Sequence, residues 1–203
     1  MTGLSRVVFG TVLLVALALS GGVRAGIVND RGGGGDLELA RALVVAREDA
    51  AQAGLRFRKL SFHPCLAQDA GIPAGIPISG RARSSWGGPS GFLWSVALVA
   101  PTPAAARRLY RQVNIEVPPC LVRFWQEDYA SGAVVTLRAA PGGERLGDAA
   151  RNWEIITRGG ETETPVLHVV TVRAGSAVAY YLYSSSPPNK GIADAIRRTV
   201  HRA

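Results

Sequence analysis

Three histidines, two cysteines and a scatter of carboxylates are the residues from which catalysis would have to be built. His63 stands two residues before Cys65, His168 lies in an apolar run, and His201 is near the C-terminus. His168 shares its alternation with Val166, Val170 and Val172, which predicts a buried imidazole hydrogen-bonded to backbone. The chain contains no HExxH, no GxSxG and no pair of metal ligands at a usable spacing. Ser90, in Gly88-Pro-Ser-Gly-Phe92, misses the nucleophile elbow by one position at its second glycine. Glu127 and Asp128 are adjacent, so on a helix they do not face each other, and Glu161 and Glu163 fall in a loop. The glycine-rich stretches lack a following Lys-Ser/Thr and the strand-to-helix setting that phosphate binding needs. These residues predict no catalytic group, no metal and no cofactor, and leave a hydrolase assembled from distant residues as the alternative to a binding protein.

Binding makes weaker demands, and here the aromatic and guanidinium residues are suggestive. Trp86, Trp94, Trp125 and Trp153 are four large rings, and most of them are expected in the core. Trp86 stands beside Gly87-Gly88 at a strand end, in a stretch that also carries Arg81 and Arg83. A ring beside guanidinium groups at a sheet edge can hold an anionic or sugar-bearing ligand, and Arg56 and Arg58 are placed to join it.

Cys65 and Cys120 each follow proline, in His63-Pro-Cys65 and Pro118-Pro-Cys120. There is no CxxC, and the even count predicts a disulfide rather than a catalytic thiol or a metal pair. In the loop-entropy picture a bridge closing that interval stabilises the chain by roughly 4 kcal/mol.

The elements that must position these residues can be read in order. Arg6, the apolar run Val7–Leu19 and the small residues up to Ala25 have the three parts of a secretory signal peptide, predicting residues 1–25 as signal and an extracytoplasmic location. The apolar run is too short for a stable membrane span. Residues 26–36, with Gly32–Gly35, are expected to be a flexible leader. A single domain then fills 37–203, opening with a helix from Leu37 to Gly54 and a strand at Leu55–Arg58. Gly80–Trp86 and Phe92–Ala100 form a hairpin, the second strand central. Thr102 caps a helix that places Arg107, Arg108 and Arg111 on a solvated face, and a separate short helix runs from Pro119 to about Tyr129. Four more strands follow, at Ala133–Arg138, Asn152–Arg158, Val166–Arg173 and Ser176–Tyr183, the last two joined at Ala174-Gly175, and a helix from Ile192 to Val200 ends the chain. The sum is an α+β domain, a central antiparallel sheet of about five to seven strands with two or three helices packed on it.

Composition agrees with that reading. With 47% hydrophobic and 19% charged residues in 203, the chain is neither disordered, collagen-like, coiled-coil nor a multi-pass membrane protein. The formal charge is +8, carried almost wholly by arginine, since Lys59 and Lys190 are the only lysines. Guanidinium excess suits phosphate or carboxylate recognition, and it also follows from G+C-rich coding. No run of five basic residues occurs, so nucleic acid is not an expected partner; an envelope ligand or an envelope protein is.

Gly80-Arg-Ala-Arg-Ser-Ser-Trp86, Pro103-Ala-Ala-Ala-Arg-Arg-Leu-Tyr110, Pro119-Cys-Leu121, Gly147-Asp-Ala149 and Val172-Arg-Ala-Gly-Ser-Ala-Val178 follow one another along the chain. This order of segments resembles the secreted sensor-type domains of actinobacteria, which are similar to the extracellular domain of mycobacterial PknH-like receptor kinases. The resemblance spans roughly residues 37–202 and implies an α+β fold with a ligand-binding cleft and no catalytic residues. It departs from the receptor kinases in lacking a kinase and a membrane span, and in having one cysteine pair where they have two.

Overall fold

The computed structural model describes residues 27–30, 34–58, 65, 75–89, 91–128, 134–140, 146–159, 162–184 and 190–203. The proposed signal at 1–25 and the residues His63 and Ser90 lie outside these. The strands are β1 (Ile27–Asp30), β2 (Arg56–Phe57), β3 (Gly80–Gly88), β4 (Gly91–Val99), β5 (Val134–Ala139), β6 (Ala149–Gly159), β7 (Thr162–Ala174) and β8 (Ala177–Ser184). The helices are α1 (Gly34–Ala42), α2 (Arg47–Gln52), α3 (Pro103–Asp128) and α4 (Lys190–Arg202).

Every pairing is antiparallel, in the order β1-β3-β4-β8-β7-β6-β5, with β2 sharing the outer edge of β3 with β1. The α+β reading stands, and β4 is central, between β3 and β8. Two-residue links close β3–β4 and β7–β8, the second with Gly175 at φ +57°, where a side chain would be strained. One face of the sheet, called the inner face below, packs against α1, α2 and α4 through Trp86, Leu93, Ala97, Tyr181, Val172 and Ile196. The outer face packs against α3 through Leu109, Val113, Val117, Leu121, Val169 and Leu182. Strand alternation sorts side chains between the two layers.

The structure corrects three expectations. Residues 27–30, read as part of a flexible leader, pair with β3 at Arg81–Ser84, and Gly34 and Gly35 open α1. Edge pairing satisfies backbone groups with little demand on side chains, and the first turn of a helix tolerates glycine where its middle does not.

The helix expected over 37–54 is two helices. Leu43, Val44 and Val45 between them are all buried, and three consecutive residues cannot share one helical face. The chain therefore leaves the helix, and sheet side chains satisfy the backbone groups this exposes. Ser95 Oγ accepts from the Val45 N–H at 3.0 Å. Ser84 Oγ and Trp86 Nε1 both donate to the Val45 carbonyl at 3.0 Å. Tyr181 OH donates to the Leu43 carbonyl at 2.8 Å.

The two helices expected around Pro118-Pro119 are one helix, α3, which runs unbroken through both prolines. Proline inside a helix costs about 3 kcal/mol. The apolar line Leu109-Val113-Val117-Leu121 buried against the sheet offsets it, and Thr102 Oγ1 caps the start through the Ala105 N–H at 3.1 Å.

Replacing Ser95 with Ala leaves the Val45 N–H buried without an acceptor. The variant is expected to lose about 1–3 kcal/mol of unfolding free energy in a urea titration with an unchanged m value. A loss under about 0.5 kcal/mol would show that the bond contributes little.

Candidate functional site

Alternation along β3 decides where each proposed binding residue goes. Arg81, Arg83 and Ser85 point to the outer face, opposite Leu98, Val96 and Trp94 of β4. Arg56 pairs with Gly87, whose missing side chain leaves room for Arg58: a Cβ there would lie 3.0 Å from Arg58 Cδ. The four arginines therefore share the outer face at one edge of the sheet, Arg56 and Arg58 exposed and Arg81 and Arg83 half-buried.

Trp86 does not join them. Its separation from Arg81 and Arg83 is odd, so it faces inward, where it is 1% exposed and bonded through Nε1 to Ser84 and Val45. Phe57 meets it edge-on at 6.4 Å on the same side. The ring on the arginine face is Trp94, half-buried against the outer core. Trp94 Nε1 donates to Ser85 Oγ at 3.1 Å, and Ser85 Oγ donates to the Arg58 carbonyl at 2.6 Å. Half-buried Phe92 lies 6.0 Å from Trp94, tilted by 57°. Tyr180, buried two strands from Arg83, has its hydroxyl pKa pushed well up by burial, with the positive charge of Arg81 opposing the shift. Counting parity between β3 and β4 would have exchanged Trp86 for Trp94 from sequence alone.

The long connection from Arg58 to Gly80 is fastened to the same side. Cys65 and Cys120 form the expected disulfide, their Cα atoms 5.6 Å apart, with Cys65 buried. Ile76 and Ile78 from the same connection pack on the outer-face core. The bridge thus ties Cys65 to α3 on the outer side of the sheet.

Two further polar groups were not anticipated. On the inner face, Arg138, Glu154, His168 and Tyr183 lie in register across β5, β6, β7 and β8. Arg138 Nη2 holds Glu154 Oε2 at 2.7 Å, Glu154 Oε1 is 3.7 Å from His168 Nδ1, and His168 stacks on Tyr183 at 4.7 Å. His168 was expected to bond to backbone; the side chain facing it is instead a carboxylate on the neighbouring strand. Burial lowers the imidazole pKa, and the Glu154 charge opposes that. On the outer face under α3, Trp153 Nε1 donates to Asn114 Oδ1 at 3.1 Å, and Arg151 lies 5.8 Å over the Trp153 ring. Among the described residues no group of three or more metal-ligating side chains occurs, and no helix is long and apolar enough to cross a membrane.

No family model matches the chain, and no curated protein does. A solved structure does. The fold is similar to that of the extracellular domain of PknH from Mycobacterium tuberculosis. The match has a TM-score of 0.53 at 14% identity and covers 81% of this chain and 94% of that one. At this identity it concerns architecture, not residues.

Because folding lowers the His168 pKa, the unfolded chain takes up a proton more readily as pH falls below about 6.5. Stability is expected to drop as pH falls through and below about 6.5, and His168→Phe to flatten that part of a chemical-denaturation profile. An unchanged slope in the variant would assign the titration elsewhere. Asp49 acts lower: burial pushes its carboxyl up, but bonds from Arg202 and Arg198 outweigh this, so its contribution is lost only below about pH 3.8.

Proposed function

We propose that this chain is an extracytoplasmic, non-enzymatic domain that binds an anionic small-molecule or glycan/lipid-type ligand of the cell envelope at the Arg56–Arg58–Arg81–Arg83 edge. The observation that carries the reading is that these four arginines lie on one face along β2 and β3, the face that also carries Trp94 and Phe92. Guanidinium forks match carboxylate and phosphate oxygens, and an anchored indole gives a sugar ring or acyl chain a flat surface to lie on. Export is supported by the signal-like residues 1–25, by the disulfide, which persists in oxidising compartments, and by a fold similar to an extracellular domain. The core, at 1% exposure or less for Leu43, Trp86, Tyr181 and Leu182, is a rigid frame on which such an edge can be pre-organised.

Titration with a sugar phosphate and with a uronic-acid oligosaccharide, followed by tryptophan fluorescence, tests the site. Arg81→Gln/Arg83→Gln is expected to weaken binding about tenfold or more, and Trp94→Ala to remove most of the fluorescence change. Trp86→Phe should lower stability while leaving affinity intact. Full affinity in the arginine variant would reject this edge as the site.

A secreted hydrolase is the second reading, and Glu154 beside His168 is the observation that favours it. Ester or glycoside turnover abolished by His168→Gln would establish it. Turnover that survives the substitution would remove His168 from consideration.

A further inference from the structure

The solvent side of α3 is a separate feature, turned away from the sheet and not part of the proposed binding edge. Arg107, Arg111, Ile115, Pro119 and Arg123 follow one another at intervals of four residues, and all five are exposed. Each four-residue step advances about 40° around the helix, so the five wind across the solvent side as an oblique band about 24 Å long at 1.5 Å per residue, with Ile115 at its middle and Arg107 and Arg123 at its two flanks. Arg108 lies beside it and is also exposed. Ile115, in the middle, is 65% exposed, the largest value among the exposed large hydrophobics Phe57, Ile115 and Val134. Glu116 lies beside Ile115, half-buried and accepting a hydrogen bond from Gln112, and exposed Glu127 stands one four-residue step beyond Arg123. Among the described residues, none of the four arginines is in a salt bridge.

We propose that this face of α3 docks the domain on an anionic lipid surface, lying parallel to it with Ile115 entering the headgroup layer and Arg107, Arg108, Arg111 and Arg123 on lipid phosphates. Charge complementarity selects an anionic partner, and the exposed isoleucine among the arginines selects a lipid surface over a soluble polyanion. An apolar side chain gains by leaving water for acyl chains, whereas a polyanion in solution offers it nothing. The band lies on the solvent side of one helix, with arginines on both flanks of Ile115, as docking flat on a planar partner requires. Arg56, Arg58, Arg81 and Arg83 take no part in this docking face, which is separate from the proposed ligand edge.

Co-sedimentation of the full chain with vesicles tests it, using phosphatidylglycerol–phosphatidylcholine mixtures against pure phosphatidylcholine over a salt series. Binding to the anionic vesicles alone, weakening with salt, is expected. Each arginine near such a surface is worth about fivefold in partitioning, so Arg107→Gln/Arg111→Gln should weaken binding roughly 30-fold. Ile115→Ser should weaken vesicle binding several-fold while leaving retention on a sulfated polysaccharide column unchanged. Arg47→Gln/Lys190→Gln removes two exposed cations elsewhere and should retain binding. Equal binding to neutral vesicles, an equal loss in the Arg47/Lys190 variant, or full vesicle affinity in Ile115→Ser would overturn the proposal. The last result would point to a soluble polyanion instead.

Discussion

The break in the chain at Leu43–Val45 is the constraint on which the rest of the structure depends. Three buried residues in a row force the backbone out of a helix and bring its polar groups into an apolar layer, where each needs a partner. Ser84, Ser95, Trp86 and Tyr181 supply those partners from β3, β4 and β8. Ser84 and Ser95 also bond each other at 2.6 Å, which couples two neighbouring strands to the same segment. Once these positions face inward, the register of the sheet is set, because a slip of one residue would put every serine in the wrong layer. Arg81, Arg83 and Trp94 must then face outward. The arrangement of the proposed binding edge follows from how the opposite face is held together.

The two faces divide the labour. On the inner face, α1, α2 and α4 close over the sheet, and Asp49, 4% exposed, ties α2 to α4 through Arg198 and Arg202. An acid so placed is stable only because two guanidinium groups replace the water it has lost. On the outer face a single helix covers β5 to β8, while β3 and β4 at the arginine edge lie beyond its main contacts. From the interval between β2 and β3, Cys65 is bridged to Cys120 of α3, and Ile76 and Ile78 pack on the outer-face core. A sheet margin left uncovered by helices, next to a covalently tethered segment, is a common place for a recognition site, because rigid strands hold the side chains and the connection can differ between proteins.

Much of the architecture was legible. The hairpins at Gly88–Gly91 and Gly175, the Thr102 cap, the central position of β4 and the disulfide all came from local signals: turn residues, alternation and an even cysteine count. The failures share a cause, since in each one tertiary contacts overrode a local preference. Glycines 34 and 35 opened a helix because α1 packs on β3, Pro118 and Pro119 stayed helical because α3 is buried on one side, and residues 37–54 split because Leu43–Val45 are all buried against the sheet. His168 was misread for another reason. Its own strand is apolar, and its partner Glu154 becomes visible only when β6 is set beside β7. Trp86 was the avoidable error, since five residues cannot separate two side chains on the same face of a strand. The likeness to the PknH extracellular domain, anticipated from segment order, holds for the fold.

The central claim is that the outer edge of this domain holds an acidic ligand. Native mass spectrometry of protein recovered from an oxidising, secretory compartment tests it most directly. The account predicts the mass of the chain with Cys65 and Cys120 bridged, plus an added mass that disappears on denaturation and belongs to a phosphate- or carboxylate-bearing molecule. A native mass equal to that of the bare oxidised chain would contradict it.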